Sequence, residues 1–478
     1  MTPAIFPSQK SPRYFQQSTG AAFIPIGPNL AFQRFLDADD EDAVFARFTE
    51  QFQKLAAAGG NFARVWLGVP FFNIEPVQEG VFDDRRCQRL RKLADLASEF
   101  GIQLKLTLEH FRTLEHAEQK EIFFEAATFT NLVHRPENGG SCLSMEEFLN
   151  SQNGRRAFLR KLDRIAEALD GANNIWIVEL WNEFNAVSAS RSAWRDWTVA
   201  MLPELRARFP HSLVTQSLGS FDSPDVFTDY DWLCSLQAND FKQFHRYLDQ
   251  QAKLDVCHGA LDSLCADAVT WLLAHGLEKP VIMAEAGAVE PGHSGPSKLY
   301  PFDTEGVMLH DILFAPFFAG AAGPGQCWHW DYYLEKNNLW HHYGRFAKAL
   351  EGVDPVEEDF RPFQVPHARL RLYGLKGKRT TLLWCRDPSS DWESELVRGI
   401  PAPELCGLAL EAASLQGAIP QSVYRPWSDD YAPVVRQADG SFLLPPFRRS
   451  VVVKALSDSS GQSKLAVHEV GRTQKGWV

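Results

Sequence analysis

The chain has 478 residues, enough for a large core and more than one domain, and its 45% hydrophobic and 23% charged residues match a soluble globular protein. A formal charge of −12, from 48 Lys and Arg against 60 Asp and Glu, argues against nucleic acid or an anionic membrane surface as a partner. Eight cysteines show no Cys-x-x-Cys pair and no zinc-like spacing, as in a reducing compartment, and no apolar run is long enough to span a membrane. The N-terminus has no basic region followed by an apolar stretch, so the expected location is cytoplasmic unless a leader has been removed.

Residues 1–14 are rich in Pro and Ser and read as irregular. Residues 22–29 read as a first strand ending at a turn. Residues 42–58 carry Val44, Phe45, Phe48, Phe52 and Leu55 at helical spacing, and Gly59-Gly60 ends the helix. Residues 61–67 form a second strand containing Arg64. A second helix presents Leu90, Leu93, Ala94, Ala97 and Phe100 on one face, and residues 103–110 follow as a third strand. The connection over 111–152 is long enough to serve as a lid or a wall of a site.

A helix over 155–169 leads into a fourth strand, Ile175-Trp176-Ile177-Val178, whose β-branched run suits burial on both faces. That strand ends in Glu179-Leu180-Trp181-Asn182-Glu183-Phe184-Asn185, a polar cluster no buried strand would choose. A Trp-rich helix near 194–205, a fifth strand at 212–217 and a sixth at 240–247 come next. A helix over 260–275 precedes a seventh strand at 280–284. A helix over 306–322 precedes an eighth strand at 325–331.

This alternation predicts a (β/α)8 TIM barrel over residues 15–355. A doubly wound sheet is less suited, because no Gly-rich phosphate loop follows the first strand. From 367 the texture changes to short alternating segments at 368–373, 379–384, 422–424, 442–444 and 450–455. They predict a small antiparallel β-sandwich domain over 362–456, with 457–478 as a polar, flexible tail.

Where a parallel strand stops, an α/β barrel exposes side chains to a ligand. Glu183 follows the fourth strand, and Glu285 ends the seventh in Pro280-Val281-Ile282-Met283-Ala284-Glu285-Ala286-Gly287. Either carboxylate alone is explained as well by a strand cap or a structural arginine partner. Two of them delivered from separate strand ends are the arrangement glycoside hydrolysis requires.

Trp181-Asn182-Glu183 resembles the Asn-Glu motif that ends the fourth strand in clan A of the glycoside hydrolases, and the Glu285 segment resembles that clan's nucleophile motif. The resemblance is nearest to the family 5 cellulase and mannanase branch. It runs over most of residues 20–350, including Phe23-Ile24-Pro25-Ile26-Gly27-Pro28-Asn29 and the Asn61-x-x-Arg64-x-Trp66 of the second strand. It implies β-linked, gluco- or manno-configured sugar substrates, net retention, and no metal or organic cofactor. Glu183 would be the acid/base, with burial raising its pKa, and Glu285 the nucleophile, kept ionised by Arg64. Asn182 would hold the sugar 2-hydroxyl. Tyr247 would orient the nucleophile and His245 would lie near the reacting sugar, both on one strand face by their i,i+2 spacing.

His110 resembles a subsite histidine, and Glu109 beside it would bind sugar hydroxyls or pair locally. Trp328 and Trp330 share a face of the expected eighth strand, and one of them would floor the subsite. Glu179, which lacks a preceding Asn, reads as structural. The chain departs from the family pattern at Ala286, which replaces an aromatic, and in lacking a signal peptide, which favours short oligosaccharides over polysaccharide. Two other readings use the same residues: a catalytically silent carbohydrate-binding barrel, and a transglycosylase. The sequence leaves the oligomeric state open.

Overall fold

The computed structural model describes residues 3–34, 36–115 and 129–457, so the middle of the 111–152 connection and nearly all of the expected tail lie outside the described residues. Two compact units emerge: Met1–Phe317 with Ala321–Ala347, and Phe318–Gly320 with Lys348–Val478. Among the described residues no helix is long and apolar enough to cross a membrane.

The first unit is the predicted barrel. Strands Phe62–Trp66, Gln103–Glu109, Ile175–Trp181 and Leu213–Thr215 pair in that order, all parallel, and Lys242–Leu248 pairs in parallel with Val281–Ala288. Between the two sheets, the Asp240 N–H donates to the Val214 carbonyl at 3.1 Å and the Phe221 N–H to the His245 carbonyl at 2.7 Å. The ring closes on its other side through single bridged residues, Asn29 beside Arg64 and Cys327 beside Ala286, joined by the Asn29 N–H donating to the Cys327 carbonyl at 3.0 Å.

The expected first and eighth strands are therefore each reduced to one bridge. Pro25 and Pro28 have no N–H to give to a ladder. Gly27 presses so closely on the second strand that a Cβ there would sit 1.7 Å from the Phe62 carbonyl oxygen, a position only glycine can take. At the other end, the chain leaves strand geometry after Cys327 and forms a π-helical turn over Trp330–Leu334.

Helices lie where apolar periodicity placed them. Asp40 caps Glu41–Ala57, which buries Val44, Phe45, Phe48, Phe52 and Leu55. Ser151 caps Gln152–Ala168, and Ser190 caps Arg191–Arg208, which buries Trp194 and Trp197. Four helices carry no sequence expectation, Met145–Asn150, Phe227–Ser235, His341–Ala349 and Pro355–Glu358. The first is too short to show a period, and the second has no side-chain cap and buries only four residues.

Residues 1–14 are not all irregular. Ile5–Pro7, Phe15–Gln17 and Ala22–Phe23 form a three-stranded antiparallel sheet. Phe15 is fully buried, with its ring edge-on to Trp176 at 4.9 Å and to Phe241 at 6.0 Å, while Phe23 meets Trp176 at 4.8 Å. Trp176 and Phe62 start the fourth and second strands, and Phe241 precedes the sixth. The aromatic residues of this sheet thus seal the barrel at its N-terminal end, opposite the strand ends that carry the carboxylates.

The second unit is antiparallel. One sheet runs in the order Arg361–Val365, Arg371–Lys376, Thr380–Arg386, Ser450–Ser457, Ala418–Arg425, Asp430–Ala432, and a smaller one in the order Ala409–Leu410, Phe442–Leu443, Val435–Arg436. Leu372, Leu383, Val423, Val451 and Val453 of the first share one core with Leu410 and Phe442 of the second.

Candidate active site

The site is built on a buried layer of charge inside the barrel. Arg64 is fully buried, and each guanidinium nitrogen donates. Nε reaches Thr107 Oγ1 at 3.0 Å and Glu179 Oε2 at 3.2 Å, and Nη2 reaches Glu179 Oε1 at 3.1 Å and Asn182 Oδ1 at 2.8 Å. Nη1 donates to Asn29 Oδ1 at 3.2 Å and to Glu285 Oε1. Lys105 Nζ lies 2.7 Å from Glu179 Oε2 and also donates to Gln243. Two buried cations thus face two buried carboxylates.

Burial alone would raise the Glu179 carboxyl, but Arg64 and Lys105 outweigh it and hold it at about 2. Burial brings the Lys105 ammonium down to about 8, with Glu179 opposing.

Glu285 is aimed by an irregularity. Phe244 pairs with Met283, yet the next residue, His245, pairs with Glu285, so Ala284 is an extra residue in the seventh strand. Such a bulge redirects the side chain that follows it. Tyr247 Oη donates to Glu285 Oε2 at 2.6 Å. His245 Nδ1 lies 3.0 Å from Glu183 Oε1 and 3.4 Å from Glu285 Oε2. One ligating atom from each of Glu183, His245 and Glu285 fits within a 4.8 Å span.

Among the described residues this is the one His, Cys and carboxylate cluster with metal-like spacing. Its two carboxylates already accept from Arg64, Tyr247 and Arg112.

Glu183 adopts a left-handed backbone, φ 49° and ψ 53°, which a non-glycine residue takes only when its surroundings enforce it. The enforcement is visible. The Glu183 N–H donates to Ser217 Oγ at 3.0 Å, the Phe184 N–H to the Ser217 carbonyl at 3.1 Å, and the Asn182 N–H to the Glu109 carbonyl at 2.8 Å. The Glu183 side chain is 15% exposed, and Arg112 Nη2 donates to its Oε2 at 2.9 Å.

The expectation that burial raises the Glu183 pKa needs correction here. Burial does push its carboxyl upward, but the His245 hydrogen bond and the charges of His245, Arg112 and His293 win, holding it at about 2. In the ligand-free site it is a carboxylate.

An aromatic wall completes the site. Trp66 lies 4.9 Å from His110 and 4.9 Å from Trp328. Burial, with Arg112 and Lys161 nearby, lowers His110 to about 3, so its ring is neutral. The expectation that Trp328 and Trp330 share a strand face fails, because Trp330 already belongs to the π-helical turn and packs on Phe32 at 5.1 Å. Trp328 is the one aligned with Trp66. Glu109 is ion-paired with Lys161, whose Nζ also donates to Asn73 Oδ1 at 3.0 Å. Glu109 and His110 line a cavity of about 370 Å³ beside Gly68, Asn73 and Asn131.

The structure therefore brings Arg64, Asn182, Glu183, His245, Tyr247 and Glu285 into one hydrogen-bonded cluster, sets His110, Trp66 and Trp328 together, and ties Glu109 to a local partner. Sequence reasoning missed several participants, Lys105, Asn29 and Arg112 among them. Asn29 sits in a segment quoted for its motif, but nothing in it shows that Oδ1 would accept from Arg64 while Nδ2 donates to the Ala284 carbonyl at 3.0 Å. Arg112 is one of two arginines in a long connection, and no spacing singles it out.

Comparison with known proteins places the chain in a family. The profile of the Cellulase family (glycosyl hydrolase family 5) matches residues 47–301, more than half of the chain. No curated protein matches the sequence. Among solved structures, GH5_18 from Bifidobacterium longum subsp. longum is 12% identical with TM-score 0.50, over 69% of this chain and 81% of that one. The exo-β-1,4-mannosidase Op5Man5 from an Opitutaceae bacterium is 18% identical with TM-score 0.48, over 72% of this chain and 62% of that one, less than two thirds of its length. The β-1,4-mannanase of the sea hare Aplysia kurodai is 18% identical with TM-score 0.46, over 72% of this chain and 96% of that one. At 12% identity the likeness to GH5_18 is one of fold alone. By its family match, the chain belongs to glycosyl hydrolase family 5, the cellulase family of glycoside hydrolases.

Proposed function

We infer that the protein hydrolyses β-linked, gluco- or manno-configured oligosaccharides or glycosides with net retention. One observation carries this reading: carboxylate oxygens of Glu183 and Glu285 lie within 4.8 Å of each other. Retaining enzymes place their carboxyl groups about 5–5.5 Å apart, whereas inverting ones leave about 6.5–9.5 Å for a water.

On this reading Glu285 attacks the anomeric carbon as Glu183 gives a proton to the departing glycosidic oxygen. Glu183 then takes a proton from water, whose oxygen displaces Glu285 from the anomeric carbon and restores the enzyme. Arg64 and Tyr247 fix the nucleophile's two oxygens. Asn182 spends its carbonyl oxygen on Arg64, which leaves its amide NH2 to donate to the sugar 2-hydroxyl as charge develops. Trp328, against Trp66, supplies the apolar floor.

The test is Glu285→Gln assayed on aryl β-glucoside, β-mannoside, β-xyloside and β-galactoside. Wild type should turn over the gluco or manno compound with retained anomeric configuration by NMR, and the variant should lose turnover by about 10³-fold or more. Equal rates in wild type and variant would remove Glu285 from the chemistry.

A further inference from the structure

Arg112 has no place in the reaction described so far. Its backbone is fixed, its N–H donating to the Phe129 carbonyl at 2.6 Å and its carbonyl accepting from the Ser188 N–H at 2.8 Å. The side chain is 33% exposed, with the guanidinium 4.1 Å above the Phe129 ring. Nη2 holds Glu183, while the buried Nε has no hydrogen-bond partner among the described residues. Nε and one Nη form the edge that grips a carboxylate with two parallel bonds, and here only half of that edge is in use.

Charge matching says what the other half is for. Glu109 is neutralised by Lys161, and Glu179 and Glu285 by Arg64 and Lys105. Among the described residues of the cluster, Glu183 is ion-paired with Arg112. A general acid must carry a proton when the bond breaks, and a protonated Glu183 leaves Arg112 as an uncompensated cation beside the leaving group. A neutral sugar cannot compensate it, whereas an anion can. That anion also draws the guanidinium off Glu183 and so favours the proton the acid needs.

We propose that Arg112 is a specificity-determining residue that binds a carboxylate carried by the leaving group, an aromatic acid or the uronate of a second sugar, and in doing so releases Glu183 to act as the acid. The proposal rests on the reading of Glu183 as acid/base. Other titratable groups facing Glu183 are His245 and Tyr247 of the sixth strand, Glu285 of the seventh, His293 of the loop beyond it, and Asp222 after the fifth. None of these offers a second free guanidinium edge.

The experiment compares 3-carboxyphenyl with the isosteric 3-carbamoylphenyl β-glycoside, carrying whichever sugar the enzyme turns over best, and then a β-linked disaccharide ending in a uronate with its neutral counterpart. Wild type should prefer the carboxylate of at least one pair by about tenfold in kcat/KM, the scale of a charge-assisted bond. The preferred pair identifies the source. Arg112→Gln should abolish the preference and Arg112→Lys should keep part of it. With the carbamoyl substrate, the Gln variant should shift the basic limb of the kcat/KM profile to higher pH, because Glu183 loses a cation.

Turnover of both members of each pair without preference, or a preference that survives Arg112→Gln, overturns the proposal while leaving the hydrolase reading intact. Turnover of no glycoside at all overturns the hydrolase reading and this proposal with it.

Discussion

Replacing Glu179 by Gln should be the most costly single isosteric change in the barrel. Glu179 is fully buried, grips Arg64 through both oxygens, and lies 2.7 Å from Lys105. A carboxyl held at about 2 instead of its usual 4.5 carries about 3 kcal/mol of interaction with its surroundings. Removing one partner of a buried ion pair costs a similar amount, about 3–5 kcal/mol, because it strands the other charge. Lys105, already brought down to about 8, would lose its closest anion and shed its proton, which limits the loss towards the lower figure.

In a barrel of this size the change corresponds to a Tm lower by about 5 °C at pH 7, measured by scanning calorimetry. A depressed carboxyl contributes stability that is present above its unfolded pKa and disappears as pH falls through the folded one. The gap between wild type and variant should therefore narrow from pH 4.5 down towards pH 2. Adding Lys105→Met should recover more than half of the loss, since it removes the stranded cation. An unchanged Tm for Glu179→Gln, or a double variant less stable than the single, would refute the idea that this layer is held by charge balance.

Two further outcomes follow from single contacts. Tyr247→Phe deletes the 2.6 Å bond to Glu285 Oε2 and should lower kcat/KM by about tenfold or more with unchanged circular dichroism, a hydrogen bond to a charged group being worth about 1.5–3 kcal/mol. Phe15→Ala removes a fully buried ring from the N-terminal seal and should cost about 3–5 kcal/mol in thermal unfolding, while kcat at 25 °C stays near wild type because the site lies at the opposite end of the barrel.

What the sequence made readable was what repeats locally. Helices announced themselves because Val44, Phe45, Phe48, Phe52 and Leu55 must share a face, and the central strand because Ile175–Trp181 is buried on both sides. Glu183 and Glu285 stood out as a pair, because two separate strand ends each deliver a carboxylate. What stayed hidden depends on partners distant in the chain. Phe15 is an aromatic in a short segment until Trp176 and Phe241 are brought beneath it. The first and eighth strands were overcalled because an apolar run does not reveal that prolines cannot join a ladder, or that the chain will wind into a turn at Trp330. The pKa of Glu183 was misjudged for the same reason. Burial can be guessed from neighbours in sequence, but the hydrogen bonds of His245 and Arg112, 62 and 71 positions away, cannot.

The two carboxylates differ in how their cations are mounted, and this difference fits the nucleophile and acid/base roles proposed for them. Glu285 is held by Arg64 and Tyr247, both on barrel strands and both almost wholly buried, so neither can leave without unpacking the core. A nucleophile must be a carboxylate each time a sugar arrives, and rigid donors on both oxygens secure that state. In the proposed mechanism Glu183 changes protonation twice in each turnover, so a comparably rigid cage would trap it as the anion. Its outer oxygen is instead held by Arg112, a third exposed and mounted on a connection beyond the strand end. A cation that can be displaced permits the carboxylate to become an acid when a ligand takes its place, and to recover the cation once the leaving group has gone. The barrel wall thus fixes the residue that keeps one charge state, and a side chain outside it serves the residue that has to alternate.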